Sequence, residues 1–393
     1  MTDKRLEAIH ALCLERLAFF SRKLDEHGYY PYYSAELECF FEDDKGGAVH
    51  VDRQKVQDWL KQSSPHLWYF GNDIKMLNDP RFADKAQKLY AWGKQGQQVI
   101  TGGKEGWASR ILGPMGLEHR VVPWFARQYE AEFLPDPQVF GVKQAMGRMP
   151  DFLRDVAQME QRLNDGAPQL GFRRVSRYSK SYPHTLGRVA APSLHLNVSL
   201  WREKDGKAIN CFASDIPGAA TKKGEVFEMA PPPLAMRCMR AMTVLQKDGL
   251  ALLSEPTNYN FALRHVQGYL APKWIYHAPG KQMEYAVCYR SQPGDPHFAR
   301  IENRAPSARS DPYLAMTMTM GAMYMAVCRK QFAAWEKRSE WAPADMNQYR
   351  PEQMAGSEPL LEVLGLPLYR EALMYYGVDG RDVPRRAAGM RRA

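Results

Sequence analysis

Three short stretches of this sequence carry side chains that could do chemistry together. In Glu36-Leu37-Glu38, set in an apolar run, strand alternation puts both carboxylates on one face and Leu37, Cys39 and Phe41 on the other. Like charges side by side on a pleated surface repel unless a cation or hydrogen bonds neutralise them, and hard divalent cations prefer such oxygen ligands. Taken alone the pair is a weak signal, because a solvated strand face is its commoner cause. In Ser193-Leu194-His195-Leu196-Asn197-Val198-Ser199-Leu200, the same alternation groups His195, Asn197 and Ser199. A lone strand histidine can be structural. In Arg300-Ile301-Glu302-Asn303-Arg304, two guanidiniums flank a carboxylate on one face. That suits a site holding a metal and anionic oxygens, or a plain ion-pair ladder.

The elements that must position these groups follow from periodicity. Residues 2–26 read as an amphipathic helix, with Leu6, Ile9, Cys13, Leu17, Phe20 and Leu24 at three- and four-residue steps and Gly28 behind it. A strand follows over 34–41, then a hairpin turn at Gly46-Gly47 into a second short strand. Residues 82–160 read as helical patterns and loops, with helices over 84–92 and 150–164. Further strands are expected over 193–201, 208–212, 274–277, 285–289 and 298–304. Helices are expected over 231–252, after Pro231–Pro233, and from Asp311-Pro312 to about 335. The methionines of that last helix (316, 318, 320, 323 and 325) are core filler, since flexible Met packs irregular gaps.

Composition sets the bounds. The chain has 393 residues, 45% of them hydrophobic and 25% charged, enough for a sizeable core and incompatible with disordered, collagenous or disulfide-scaffold classes. Six scattered cysteines without a C-x-x-C pair argue against zinc sites and disulfides, and point to free thiols in a reducing compartment. No signal peptide or spanning segment is evident, so a cytoplasmic protein is expected. The formal charge of +9 includes a C-terminal cluster, Arg385, Arg386, Arg391 and Arg392. A solvated tail or a phosphate contact accounts for it; no nucleic-acid motif accompanies it, and neither a nucleic-acid nor a membrane partner is expected.

The order and flanks of the three stretches add a resemblance. Between about residues 20 and 335 the chain resembles the catalytic domain of the glutamine synthetase family of ATP-dependent carboxylate–amine ligases. The E-x-E strand is matched by Glu36-Leu37-Glu38, the G-Q-x-E motif in part by Arg127-Gln128-Tyr129-Glu130, and M-H-x-H-x-S-L by the run 194–200. Glu255-Pro256-Thr257-Asn258 with the run 264–272 looks like N-P-T-x-N-S-Y-K-R-L-x-P-G-Y-E-A-P. Arg300 to Pro306, then Asp311-Pro312-Tyr313-Leu314-Ala315, is similar to R-I-E-x-R-x-P and N-P-Y-L-A.

The resemblance implies an α+β fold, with a curved antiparallel sheet forming a funnel backed by helices, over residues 1–340, and a C-terminal extension over 341–393. It implies two divalent cations, Mg²⁺ or Mn²⁺, with ATP as co-substrate, a small carboxylic acid and an amine as substrates, and a homo-oligomer. Glu36, His195 and Glu302 would hold one cation, and Glu38 and Glu130 the other. Arg304 would meet the phosphoryl group or the substrate carboxylate, and Arg264 the carboxylate of an amino-acid substrate. Ser199, Arg290 and Arg300 would lie toward the nucleotide.

Departures from the family pattern narrow the activity. Pro123 stands where a third carboxylate is expected, with Glu118 the nearest acid; Ala190-Ala191 replaces Asn-Gly, Asn197 the second histidine, and Leu270 the flap glutamate. Gln282 falls at one phosphate-binding arginine position. The family's N-terminal β-grasp domain has no counterpart before Glu36. Losing the flap carboxylate removes the base expected to act on ammonium. The expected activity is therefore amide formation through an acyl phosphate, γ-glutamyl in type, with an amine other than ammonia. The alternative is a catalytically inactive relative with a binding or regulatory role.

Overall fold

The computed structural model describes residues 3–44, 48–49, 51–72, 129–136, 138, 141, 143–176, 192–214, 230–253, 274–275, 287–292, 295–338, 354–375 and 377. The strands are β1 (Tyr30–Glu42), β2 (Ala48–Val49), β3 (Leu67–Asn72), β4 (Tyr129–Phe133), β5 (Arg174–Ser176), β6 (Leu194–Lys204), β7 (Lys207–Asn210), β8 (Trp274–Ile275), β9 (Val287–Gln292) and β10 (Asp295–Asn303). The helices are α1 (Asp3–Glu26), α2 (Arg53–Ser63), α3 (Met149–Leu170), α4 (Pro233–Gly249), α5 (Pro312–Cys328), α6 (Phe332–Arg338) and α7 (Glu358–Tyr375). The strand order is β3-β4-β1-β6-β10-β9-β8, with β2 and β5 paired to β1 and β7 to β6. The registered pairings are antiparallel except β8 on β9, so the expected α+β class with an antiparallel sheet and helices holds.

Contacts divide the chain into two units. One comprises Met1–Ala35, Leu134–Arg154 and Leu194–Ala393; the other comprises Glu36–Phe133 and Asp155–Ser193.

In the first unit, α1 buries Ile9, Cys13, Leu17, Phe20 and Leu24, the stripe read from the sequence. Its main neighbour, α5, starts at Asp311, whose carboxylate caps the helix by accepting from the Leu314 N–H at 2.9 Å. All five stripe methionines of α5 are buried, as expected of core filler. The expected helix to 335 instead stops at Cys328, because the apolar pattern gives out at Arg329-Lys330-Gln331 and Arg329 turns to extended backbone; α6 resumes at Phe332. Gly321 lets α7 approach α5 closely, since a Cβ there would lie 2.2 Å from a Val363 methyl. α7 breaks at Gly365 (φ 70°), and Arg16 of α1 donates to the freed carbonyls of Glu362 and Val363 at 2.7 and 2.8 Å.

The second unit has an aromatic core in which Phe41, Phe70, Tyr129 and Phe172 meet with centroids 4.6–5.9 Å apart. The short strand β4 corrects the expectation of helices and loops over 82–160. Its alternation spans only five residues, Tyr129, Ala131 and Phe133 against Glu130 and Glu132, too brief to stand out before its partner β3 is known. Asp52 caps α2 by accepting from the Lys55 N–H.

All six cysteines are free thiols, four of them buried. Among the described residues no helix is long and apolar enough to cross a membrane. The helix expected over 84–92, the motif residues Glu118, Pro123, Arg127, Gln128, Ala190, Ala191, Arg264, Leu270 and Gln282, and the arginine cluster 385–392 lie outside the described residues.

Candidate metal centre

β6 and β10 pair antiparallel with Glu302 opposite Asn197, Ile301 opposite Val198 and Asn303 opposite Leu196. On β6, Leu194, Leu196, Val198 and Leu200 take one face. His195, Asn197 and Ser199 take the other, and these polar groups are buried too. On β10, Ala299, Ile301 and Asn303 alternate with Arg300 and Glu302 in the same way, and Arg304 follows the strand. A buried polar sheet face is costly unless its groups are paired, so the pairing is informative.

The end of β10 is held from behind. Asn303 accepts from Gln246 of α4 at 2.9 Å and donates to Thr319 of α5 at 2.9 Å, and its side-chain oxygen also takes the Ala305 N–H. The Leu194 N–H donates to the Pro306 carbonyl at 3.0 Å, closing the strand pair just beyond it. Glu302 and Arg304 therefore project from backbone that two helices fix in place.

Glu302 is the centre of this face. Its Oε2 accepts from Arg290 of β9 in a short charge-assisted contact. Its Oε1 lies 3.3 Å from His195 Nδ1 and 3.3 Å from Arg304 Nε. Burial pushes the Glu302 carboxyl up, but Arg290, Arg304 and His195 together outweigh it and hold the group well below the usual carboxylate range. Cys288, opposite Glu302 across the β9–β10 ladder, is pushed up to about 11 by burial and by the Glu302 charge.

Glu36, the half-buried residue of β1 that follows Ala35, offers a carboxylate oxygen. In the first unit, His195 and Glu302 each offer one ligand atom, and the two side chains lie side by side. An imidazole nitrogen beside a carboxylate oxygen is a donor set that a divalent cation of the Mg²⁺ or Mn²⁺ kind can take.

No protein-family model matches the chain, and no curated protein matches it. Among solved structures, "GmaS/ADP complex-Conformation 1" is similar at 13% identity and TM-score 0.47, over 93% of this chain and 72% of that one. "Apo GmaS without ligand" is similar at 14% identity and TM-score 0.42, over 92% and 71%. At those scores the functional reading rests on the residues and their geometry alone.

The other residues singled out in the sequence fall as follows. Glu38 and Glu130 are buried in the second unit. The Glu38 carboxylate accepts from the Ser193 N–H at 2.5 Å, while the Glu38 N–H donates to the Ser193 carbonyl. Glu130 stands opposite Gly71 on β3. Arg300 donates to the Asn197 side-chain oxygen at 2.9 Å and lies over the Phe298 ring. Ser199 accepts from the Trp201 indole N–H at 2.7 Å. Arg290 and Arg300 face each other across the ladder.

Sequence reasoning missed two features of the face. It did not foresee that Arg290 spends its guanidinium on Glu302, because β9 was expected two residues earlier and its register with β10 was unknown. It also placed Asn197 on the His195 face without a partner, whereas the amide stands opposite Glu302 and accepts from Arg300.

Proposed function

We propose that this chain is an ATP-dependent carboxylate–amine ligase of the glutamine synthetase kind, forming an amide through an acyl phosphate with an amine other than ammonia. One observation carries the reading. His195 and Glu302, more than a hundred residues apart in sequence, come together on a sheet face that also bears Arg290 and Arg300, with Arg304 just past the strand end. The order of motifs along the sequence supports it.

In this reading Glu36, His195 and Glu302 hold one Mg²⁺ or Mn²⁺, and Glu38 and Glu130 contribute to a second. The cations supply charge neutralisation for the phosphates of ATP. Arg304 orients the transferred phosphoryl group or the acid substrate, and Arg264 holds the acid's far end. Ser199, Arg290 and Arg300 lie on the nucleotide side. The protein acts in the cytoplasm as a homo-oligomer.

The test is ADP release with Mg²⁺ against a panel of acids and primary amines, alongside a thermal shift with ATP. Turnover with an alkylamine and not with ammonium is the expected result. Absence of both ADP release and any nucleotide-induced shift overturns the reading. It would favour instead a non-catalytic relative with a binding or regulatory role, for which the pairing of Glu302 with two arginines is the supporting observation.

A further inference from the structure

Glu302 faces more positive charge than it offsets: two guanidiniums, Arg290 and Arg304, stand against its one carboxylate. Its carboxylate has two oxygens; one is taken by Arg290, and the other is shared between His195 and Arg304. A divalent cation held by His195 and Glu302 enters a place whose charge is already neutralised by guanidinium, so one of the arginines must give way. Arg304 stands two residues from Glu302, just past the end of β10, where Asn303 is pinned from both helices. Arg290 comes from the neighbouring strand β9, has the more exposed side chain of the two (17% against 10%), and faces Arg300 across the ladder.

We propose that Arg290 is a displaceable stand-in for the cation: it occupies Glu302 when no divalent ion is bound, and leaves Glu302 when one binds. This rests on the reading of Glu302 as a cation ligand. Once displaced, the Arg290 guanidinium stays on the same sheet face as Arg300. Two like charges opposite each other on a strand pair are unfavourable until an anion lies between them. Binding of the cation thereby assembles an anion site of polyphosphate or carboxylate type, and the two ligands strengthen each other's binding, reciprocally.

Two measurements on the full chain test this. The first is Mn²⁺ affinity, read from the electron-spin resonance of free Mn²⁺, for the wild type, Arg290→Gln and Glu302→Gln. Removing the competitor is expected to tighten Mn²⁺ binding about tenfold, the lower end of the effect of groups that act on a metal ligand. The second uses the wild type alone: the rate at which phenylglyoxal modifies Arg290, mapped by mass spectrometry. Mn²⁺ is expected to raise that rate several-fold, and added tripolyphosphate to suppress it again.

Unchanged or weaker Mn²⁺ binding in folded Arg290→Gln overturns the proposal, as does a modification rate indifferent to Mn²⁺. Should Arg290→Gln not fold, the modification rate decides. If both proteins bind Mn²⁺ equally and Glu302→Gln binds none, the metal centre stands and the role of Arg290 falls. If no variant binds Mn²⁺, the metal centre itself is wrong and the proposal goes with it.

Discussion

Two buried carboxylates in this protein keep company with one histidine and arginine, and they are used differently. In the second unit, Asp155 accepts from His66 Nδ1 at 2.8 Å through one oxygen and from Arg162 at 2.9 Å through the other. Arg162, seven residues along α3, also donates to Gln158 at 3.0 Å and to the Ser64 hydroxyl. Each oxygen has its partner, and no second carboxylate is grouped with them among the described residues. Glu302, in the first unit, has two arginines and a histidine about it, with two of those contacts at 3.3 Å. A closed set of matched hydrogen bonds ties the end of α2 and the start of β3 to α3. An overcrowded one keeps a charged group ready to exchange partners.

The largest effect is expected where the set is closed. Asp155→Ala leaves His66 and Arg162 without their acceptor in a buried place, a loss of about 3–5 kcal/mol when one partner of a buried pair is removed. Urea unfolding should show a clearly lower midpoint, and an unchanged midpoint would sink the assignment of Asp155 as a structural clasp. Acid adds a second reading of the same group. Burial opposes the Asp155 charge, but hydrogen bonds from His66 and Arg162 prevail and set its pKa below the ordinary 3.8. A depressed folded pKa contributes stability that is present above 3.8 and is lost as pH falls below it toward the folded value. The wild type should therefore lose stability more steeply below that pH than Asp155→Asn, and parallel curves would contradict it.

At Glu302 the same loss of charge should act on binding. Glu302→Gln is expected to weaken Mn²⁺ binding about a hundredfold or more, the upper end of what changes around a metal site produce. Mn²⁺ should raise the melting temperature of the wild type and of Asp155→Asn, but not of Glu302→Gln. Equal shifts in all three proteins would erase the distinction between the two carboxylates.

The sequence already separated these regions in part. β6 and β10 were readable because each alternates over at least five residues, with Leu194, Leu196, Val198 and Leu200 or Ile301 marking the inner face. Placing His195 with Glu302 needed only that alternation and the motif order. The clasp was not readable: His66 sits in a three-residue link between α2 and β3, and α2 shows only Val56 and Leu60 buried among charged residues. Nor could the grip of Arg290 on Glu302 be foreseen, since a pairing between strands depends on register, and one residue of slip sends a side chain to the opposite face. Local periodicity shows through in a single sequence; partners chosen across strands do not.

The smallest expected effect lies at the far end of the Glu302 face. Ser199 was expected near the nucleotide, and its hydroxyl oxygen accepts from the buried Trp201 indole at 2.7 Å. If that is its whole task, Ser199→Ala costs about 1–2 kcal/mol, the penalty of leaving one buried N–H without its partner. The same change made together with Trp201→Phe, which removes the donor, should cost close to nothing beyond Trp201→Phe alone. ADP affinity separates the alternatives: a drop in both Ser199→Ala proteins, with the stability cycle unchanged, would move Ser199 from the structural side of the comparison to the binding side.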